Sequence, residues 1–282
     1  MTWPPEKAQL NGSLGRACLE VNLVAGQSSV TRAWAVNPIK LLTPRSRGPS
    51  VWTYTSNFGG GFVAGDCVNV DIRLGSGTRC FFGSQASTKV YRNPDLHPCR
   101  YSLRAEVGAA ALLVLAPDPI QCFADSIYEQ RQEFHMDPSA GLVLVDWLSA
   151  GRTARGERWA FRRFESRNEV FIGGDRLLLD SLRLDPDDGP ITAAYRMGRF
   201  NCLATVVLAG VPLGDHAARL IESVASEPLE RHSSLMASAS SLGQGAVLRF
   251  AGTSVEQVTA LIARHLSFVR DLLDNDPWAR KW

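Results

Sequence analysis

Between Val68 and Leu74 every second residue is apolar: Val68, Val70, Ile72 and Leu74 alternate with Asn69, Asp71 and Arg73. A period of two predicts a strand with one buried and one wet face. Leu19, Val21 and Leu23 alternate in the same way with Glu20 and Asn22. Leu142 to Trp147 and Val170 to Leu179 fit the same class less cleanly. Gly75-Ser76-Gly77, Gly108, Gly173-Gly174 and Asp187-Asp188-Gly189 punctuate these runs as turns. Strands recur at short intervals with no helical pattern between them. This argues for antiparallel or coiled β architecture and against alternating βαβ units.

The last third reads differently. Asp215 is a candidate cap for a helix carrying Ala218, Ile221 and Val224. Val247, Leu248 and Phe250 form one more strand pattern. Thr253 to Glu256 has the T-x-x-E form of a capping box. The following pattern puts Val258, Leu261, Ile262, Leu266, Val269 and Leu273 on one helical face, ending near Asn275 before Pro277. No linker, low-complexity tract or sequence repeat is visible. The expectation is a single domain, 1–282, mainly β, with two helices in its C-terminal third. A compact chain of 282 residues buries roughly three quarters of its unfolded surface, so folding requires neither disulfides nor metal.

Charge excludes several classes. Thirty Lys+Arg against 28 Asp+Glu give a net charge of +2. No basic excess points to nucleic acid, and no acidic block to an interaction tail. The start, Met1 to Lys7, lacks a secretory pattern. The longest apolar stretch, Val107 to Ala116, is too short for a membrane span. Cys18, Cys67, Cys80, Cys99, Cys122 and Cys202 include no C-x-x-C pair, so a zinc knuckle is not indicated. Dispersed cysteines without a signal predict reduced, mostly buried thiols in the cytoplasm.

Three segments concentrate polar chemistry. Phe58 to Asp66 carries three consecutive glycines, without the Gly-Lys-Ser/Thr of a P-loop and without a following helix. Composition favours a tight strand connection in which Asp66 bonds its own turn. Ser84 to Arg92 gathers hydroxyls, an amide and two cations, as an exposed strand edge also would. Asp146 to Glu169 mixes arginines and carboxylates. In it Arg152 and Arg155 are placed to fix Asp146 or Glu157, to bind an acidic partner, or simply to form a surface ion-pair network.

No G-x-S-x-G is present, and the five histidines, His97, His135, His216, His232 and His265, form no convincing triad. His265 falls on the apolar helix face, where a core histidine is the commoner reading. His97 with Cys99, and His135 near Asp137, are weak metal pairs.

Four elements nevertheless stand in register. Asn57 to Asp66 (NFGGGFVAGD) resembles the N-x-G-G-G-hydrophobic-x-x-G-D element of the urease accessory protein UreD family, called UreH in some bacteria. Ser84 to Arg92 is close to its T-Q-A-x-T-K-V-Y-R element, with Ser84 for Thr. Pro119 to Gln130 is similar to its P-x-x-x-F-x-x-A-x-x-x-Q segment, departing at Ser126 and with Cys122 where Pro is common. Asp146 to Glu157 is similar to its D/E-W-x-x-x-G-R-x-A-x-G-E element. The order and spacing match over roughly residues 12–282, more loosely in the C-terminal third.

This resemblance implies a coiled, β-helix-like body with two C-terminal helices. It implies a non-enzymatic scaffold for nickel insertion that binds urease apoprotein and the helical accessory protein UreF. Through UreF it would meet the nickel-carrying GTPase UreG. Nickel would be transient cargo, with no permanently bound cofactor and no nucleic-acid or membrane partner. By motif position, Asp66, Asp146 and Glu157 are candidates for a transient nickel path. Ser87, Thr88, Lys89 and Arg152 are candidates for path or partner contacts. Ni²⁺ accepts carboxylate, imidazole and water ligands, and weak scattered ligands suit transit better than a thiolate cage. Two other readings remain: a β-helical hydrolase or lyase using Asp66 and Asp146 as paired carboxylates, and a purely adhesive platform. Trp278 to Trp282 and the last helix are candidate docking elements.

Overall fold

The computed structural model describes residues 14–45, 48–228 and 230–278. The readings placed on Met1 to Lys7 and on residues 279–282 lie outside the described residues.

The alternating runs wind into a parallel β-solenoid. Each coil contributes one strand to a seven-stranded sheet and one to an opposing sheet, and the first three also give one short strand to a narrow third face. The first coil comprises Val51–Asn57, Gly61–Phe62 and Cys67–Leu74; the second, Arg79–Ser84, Lys89–Val90 and Cys99–Val107. The third comprises Leu112–Leu115, Ile120–Cys122 and Ile127–Met136. In the fourth, Gly141–Ser149 leads through a 3-10 turn at Thr153–Arg155 to Arg163–Ile172.

Successive coils stack in parallel register, so inward residues form ladders through the body. Val51, Cys80, Leu113 and Leu142 form one ladder. Ile72, Ala105, Phe134 and Val170 form another. All eight are buried. Burying such side chains contributes about 1.5–3 kcal/mol each for the larger ones, which offsets the entropy of ordering the coil. Antiparallel hairpins close the ends: Leu14–Val24 with Gln27–Val36 at one end, and Arg163–Ile172 with Asp175–Leu184 at the other.

Strand Gly141–Ser149 is buried on both faces, which explains its poor alternation. Leu142, Leu144 and Leu148 face the solenoid core. Val143, Val145 and Trp147 face a second core built by the helices. Those helices are α1 (Gly214–Ala225), α2 (Val255–His265) and α3 (Val269–Leu273).

Three helical details correct the sequence reading. The single long last helix divides at Leu266 to Phe268 into α2 and α3, so the described residues hold three α-helices, not two. Its predicted apolar face is nevertheless buried throughout. On α1 the buried face is Ala217, Leu220 and Val224. Ala218 is exposed, and Asp215 sits in the first turn without capping it. The cap of α2 is Ser254, whose Oγ accepts from the Gln257 amide, so the S-x-x-Q frame one residue on replaces the T-x-x-E reading. His265 is a buried core residue stacked on Phe250 at 5.5 Å. Trp278 packs against the helical core and donates its ring N–H to the Leu266 carbonyl at 3.3 Å.

Candidate functional site

The third face brings together motifs that lie far apart in sequence. Gly61 pairs with Lys89, and Lys89 with Gln121. Gln121 Nε2 then donates to the Gly151 carbonyl at 3.3 Å. Close approach dictates two of the glycines here. A Cβ on Gly61 would lie 2.5 Å from the Lys89 carbonyl oxygen. One on Gly151 would lie 2.7 Å from the carbonyl oxygens of both Cys122 and Glu157, and the residue's φ is +92°.

Aromatic and ionic contacts tie the same face together. Tyr91 donates its hydroxyl to the Gly59 carbonyl at 3.0 Å and meets Phe123 edge-on at 5.4 Å. The Arg152 guanidinium lies 4.1 Å over the other side of this cluster, on the Phe123 ring. Arg152 Nε donates to Glu157 Oε2 at 2.9 Å while its terminal nitrogen donates to Oε1. Glu157 Oε2 also accepts the Ala124 amide at 3.1 Å. The bond to Arg152, assisted by that amide, holds the Glu157 carboxyl below the usual range.

Asp66 is buried, at 3% exposure, and does bond its own turn. Its Oδ2 accepts the Val63 amide at 2.9 Å, and its own amide donates to the Val63 carbonyl. Ser87 and Thr88 are half-buried and Lys89 is exposed.

Asp146 occupies a different environment. It is half-buried on strand Gly141–Ser149 and accepts from three neutral donors. These are Gln130 Nε2 at 2.9 Å, Ser166 Oγ at 2.6 Å and Asn168 Nδ2 at 2.8 Å. Gln132 Nε2 donates onward to Asn168 Oδ1 at 2.9 Å, and Tyr128 donates to Gln130 Oε1 at 3.1 Å. Burial raises the Asp146 carboxyl above its ordinary value, and the three hydrogen bonds only partly oppose it. Among the described residues no cationic side chain pairs with it. The carboxylate borders a cavity of about 40 Å³, lined also by Asp118, Thr88, Gln130 and Gln132 and by apolar side chains that include Phe82 and Leu115. That space, polar on its Asp146 side, is large enough for water.

The polar interior was missed in the sequence. Its signal is the parity of strand Ile127–Met136, where Gln130 and Gln132 occupy the same inward register as Tyr128 and Phe134. On the coils below, those positions are filled by Tyr101 and Leu103.

The structure does not bring the three path candidates together. Asp66 sits at the first coil, whereas Asp146 contacts the third and fourth. At the usual interstrand spacing they are separated by roughly 10–14 Å along the axis. Each has its oxygens engaged by its own surroundings, so the two do not form the close pair that joint acid–base work requires. Among the described residues no three His, Cys, Asp or Glu side chains converge as a metal ligand set. The weak histidine pairs separate as well. His97 is exposed while Cys99 is buried, its Sγ on the Val63 carbonyl. His135 contacts Glu133, not Asp137, and stacks on Phe171 at 4.9 Å. All six cysteines are free, and all but Cys67 are buried. None of the described helices is long and apolar enough to cross a membrane.

The UreD urease accessory protein family model matches residues 13–282. A urease accessory protein UreD of Sorangium cellulosum is 47% identical over 278 residues, covering 98% of this chain and 86% of that protein. One of Anaeromyxobacter is 39% identical, covering 98% and 92%. Urease accessory protein D of Oryza sativa subsp. indica is 32% identical, covering 97% and 98%. With a family match across nearly the whole chain, relatives of comparable length, and the four elements assembled on one coiled β body, the chain belongs to the UreD family of urease accessory proteins.

Proposed function

We propose that this chain is a non-catalytic scaffold in urease maturation, which binds urease apoprotein and helps deliver nickel to it. UreF is the helical partner in this reading, and UreG reaches the assembly through UreF. Family membership supports the maturation role. The observation that carries the delivery step is the half-buried Asp146 carboxylate, held by three neutral donors at the wall of a water-sized cavity.

Nickel is cargo here. Asp146 supplies one anionic ligand, and the cavity supplies Thr88 with the amide and hydroxyl oxygens of its neighbours. A borderline cation accepts such oxygen ligands and retains some of its water. Asp118 lines the same cavity, so at most two carboxylates reach the ion, too few to hold it permanently. Asp66 and Glu157 serve the path by fixing its walls, because their oxygens brace the 63–66 turn and the 123–124 loop. Arg152 holds Glu157. Ser87 and Thr88 lead into the third-face strand Lys89–Val90, and Thr88 lines the cavity.

The test is co-purification. The tagged chain is expressed with its host's urease subunits and the other accessory proteins, and the retained proteins and nickel-loaded urease are measured. Retention of urease apoprotein, and nickel loading that disappears when the chain is omitted, are expected. A folded chain that retains none of them overturns the scaffold. Asp146→Asn and a cavity-filling Thr88→Leu separate delivery from adhesion. Normal nickel loading by both, with assembly intact, leaves only the adhesive platform.

A further inference from the structure

The third face is more than a structural seam. Along it the backbone is exposed at Gly59 and Gly60, and its outward side chains are unevenly charged. Lys89, Arg92, Arg155 and Arg162 are exposed. Asp95 is exposed and Asp125 half-buried. Asp125 is shared by Arg92 at 3.3 Å and Arg162 at 3.9 Å. Among the described residues Lys89 and Arg155 have no carboxylate within ion-pair distance.

Large apolar side chains flank these cations. Phe58 is 44% exposed at one corner, with the Lys40 ammonium 3.6 Å over its ring. Val63 and Leu96, at 50% and 52%, stand at the other corner, where the Gly65 amide binds the His97 carbonyl. The platform beneath is held by the Tyr91–Phe123–Arg152–Glu157 chain of contacts, so these groups are presented on a braced surface.

We propose that this face docks an acidic protein surface, with Lys89 and Arg155 meeting its carboxylates and Phe58, Val63 and Leu96 entering apolar recesses between them. Charge complementarity selects the partner: a surface carrying uncompensated cations repels another basic face and steers an acidic one. Exposed apolar side chains rimmed by polar groups supply the buried contact that a charge pair alone lacks. The inference rests on the scaffold reading, since it names where one of the urease-maturation proteins sits.

The experiment uses the full chain with its host's urease subunits and accessory proteins. Wild type, the double variant K89E/R155E, the apolar variant F58S, and R32E on the distant strand Gln27–Val36 are compared. Captured partner is measured across a salt series, and thermal unfolding is followed for each chain. K89E/R155E should lose one partner by about tenfold or more at low salt while its unfolding temperature stays with wild type. F58S should weaken the same partner, and R32E should leave it unchanged. Wild-type capture should fall as salt rises, because exposed charge pairs are screened; this holds as a test even if the double variant folds poorly. Equal capture by wild type, K89E/R155E and F58S, with no salt dependence, overturns the docking face and leaves the scaffold standing. If wild type itself captures nothing, the scaffold fails and the docking face with it.

Discussion

Arg152 grips Glu157 through two nitrogens while its guanidinium carbon lies 4.1 Å over the Phe123 ring. One carboxylate thus closes the Arg152–Glu157 turn and anchors the Ala124 amide from the preceding coil. Glu157→Gln keeps the shape but loses the ion pair. With both side chains partly solvated, the loss should be about 1–2 kcal/mol, seen as a drop of a few degrees in unfolding temperature. The folded carboxyl is held below its usual value of 4.5. Its contribution is therefore present above that value and fades as pH falls through the folded pKa. Chemical denaturation of wild type and Glu157→Gln should converge at acid pH. Parallel curves would show that the pair contributes no pH-linked stability.

Asp146 should show the opposite pH dependence. Burial raises its carboxyl above the ordinary 3.8, so the folded state takes up its proton more readily than the unfolded chain does. Its proton-linked contribution is present below the unfolded value and is lost as pH rises through the folded one. As pH rises above the ordinary 3.8 and through the raised folded value, wild type should lose stability relative to Asp146→Asn. Asp146→Ala is harsher. It strands the donors of Gln130, Ser166 and Asn168 in the interior and should cost about 2–4 kcal/mol. Denaturant midpoints across pH measure both.

Gly61→Ala isolates a steric effect, because the Gly61 backbone is extended, with φ 174°, and carries no left-handed strain. Its Cβ would lie 2.5 Å from the Lys89 carbonyl oxygen, so neighbouring strands of the third face must separate. A cost of about 2–4 kcal/mol is expected. Gly156→Ala is the comparison: nothing lies within 4 Å of its Cβ, but φ is +78°. That change should cost only about 1–2 kcal/mol. Equal losses in thermal unfolding would mean that the strands yield without penalty.

The strands were legible where one face is wet. Val68 to Leu74 alternates because Asn69, Asp71 and Arg73 point outward, and the structure buries its four apolar residues. Leu142 to Trp147 was harder to read because helices cover its second face. The coil itself was only a class-level inference. Register repeats every 29–33 residues, as in Val51–Cys80–Leu113–Leu142, but β-branched, thiol and γ-branched side chains share one ladder, so no sequence repeat accompanies it. The four family elements were visible as motifs, and Arg152–Glu157 as an available pair. Their assembly on a single face depends on hydrogen bonds between coils, which no local pattern encodes. The Asp146 network depends likewise on residues from three strands.

The α2 cap gives a local test of frame. Ser254 caps the helix through the Gln257 amide, and Thr253 Oγ1 reaches the Gln257 side chain at 3.1 Å instead. Ser254→Ala should cost about 1 kcal/mol, and Thr253→Ala less. The reverse order would restore the T-x-x-E frame.

The thiols should differ sharply in reactivity. Burial pushes Cys80, Cys99 and Cys202 up to about 12, and the buried Cys122 rises as well. Few thiolates form at neutral pH, and reagent cannot reach them. Cys67 is half-buried, and the Arg100 guanidinium partly counters the rise that burial imposes on its thiol. A disulfide-exchange reagent applied to the native chain should therefore label a single thiol in its fast phase, and Cys67→Ser should abolish that phase. The remaining five should appear only with denaturant, in step with global unfolding. A fast phase that survives Cys67→Ser would place an opening elsewhere in the solenoid, and mass spectrometry of the labelled peptide would locate it.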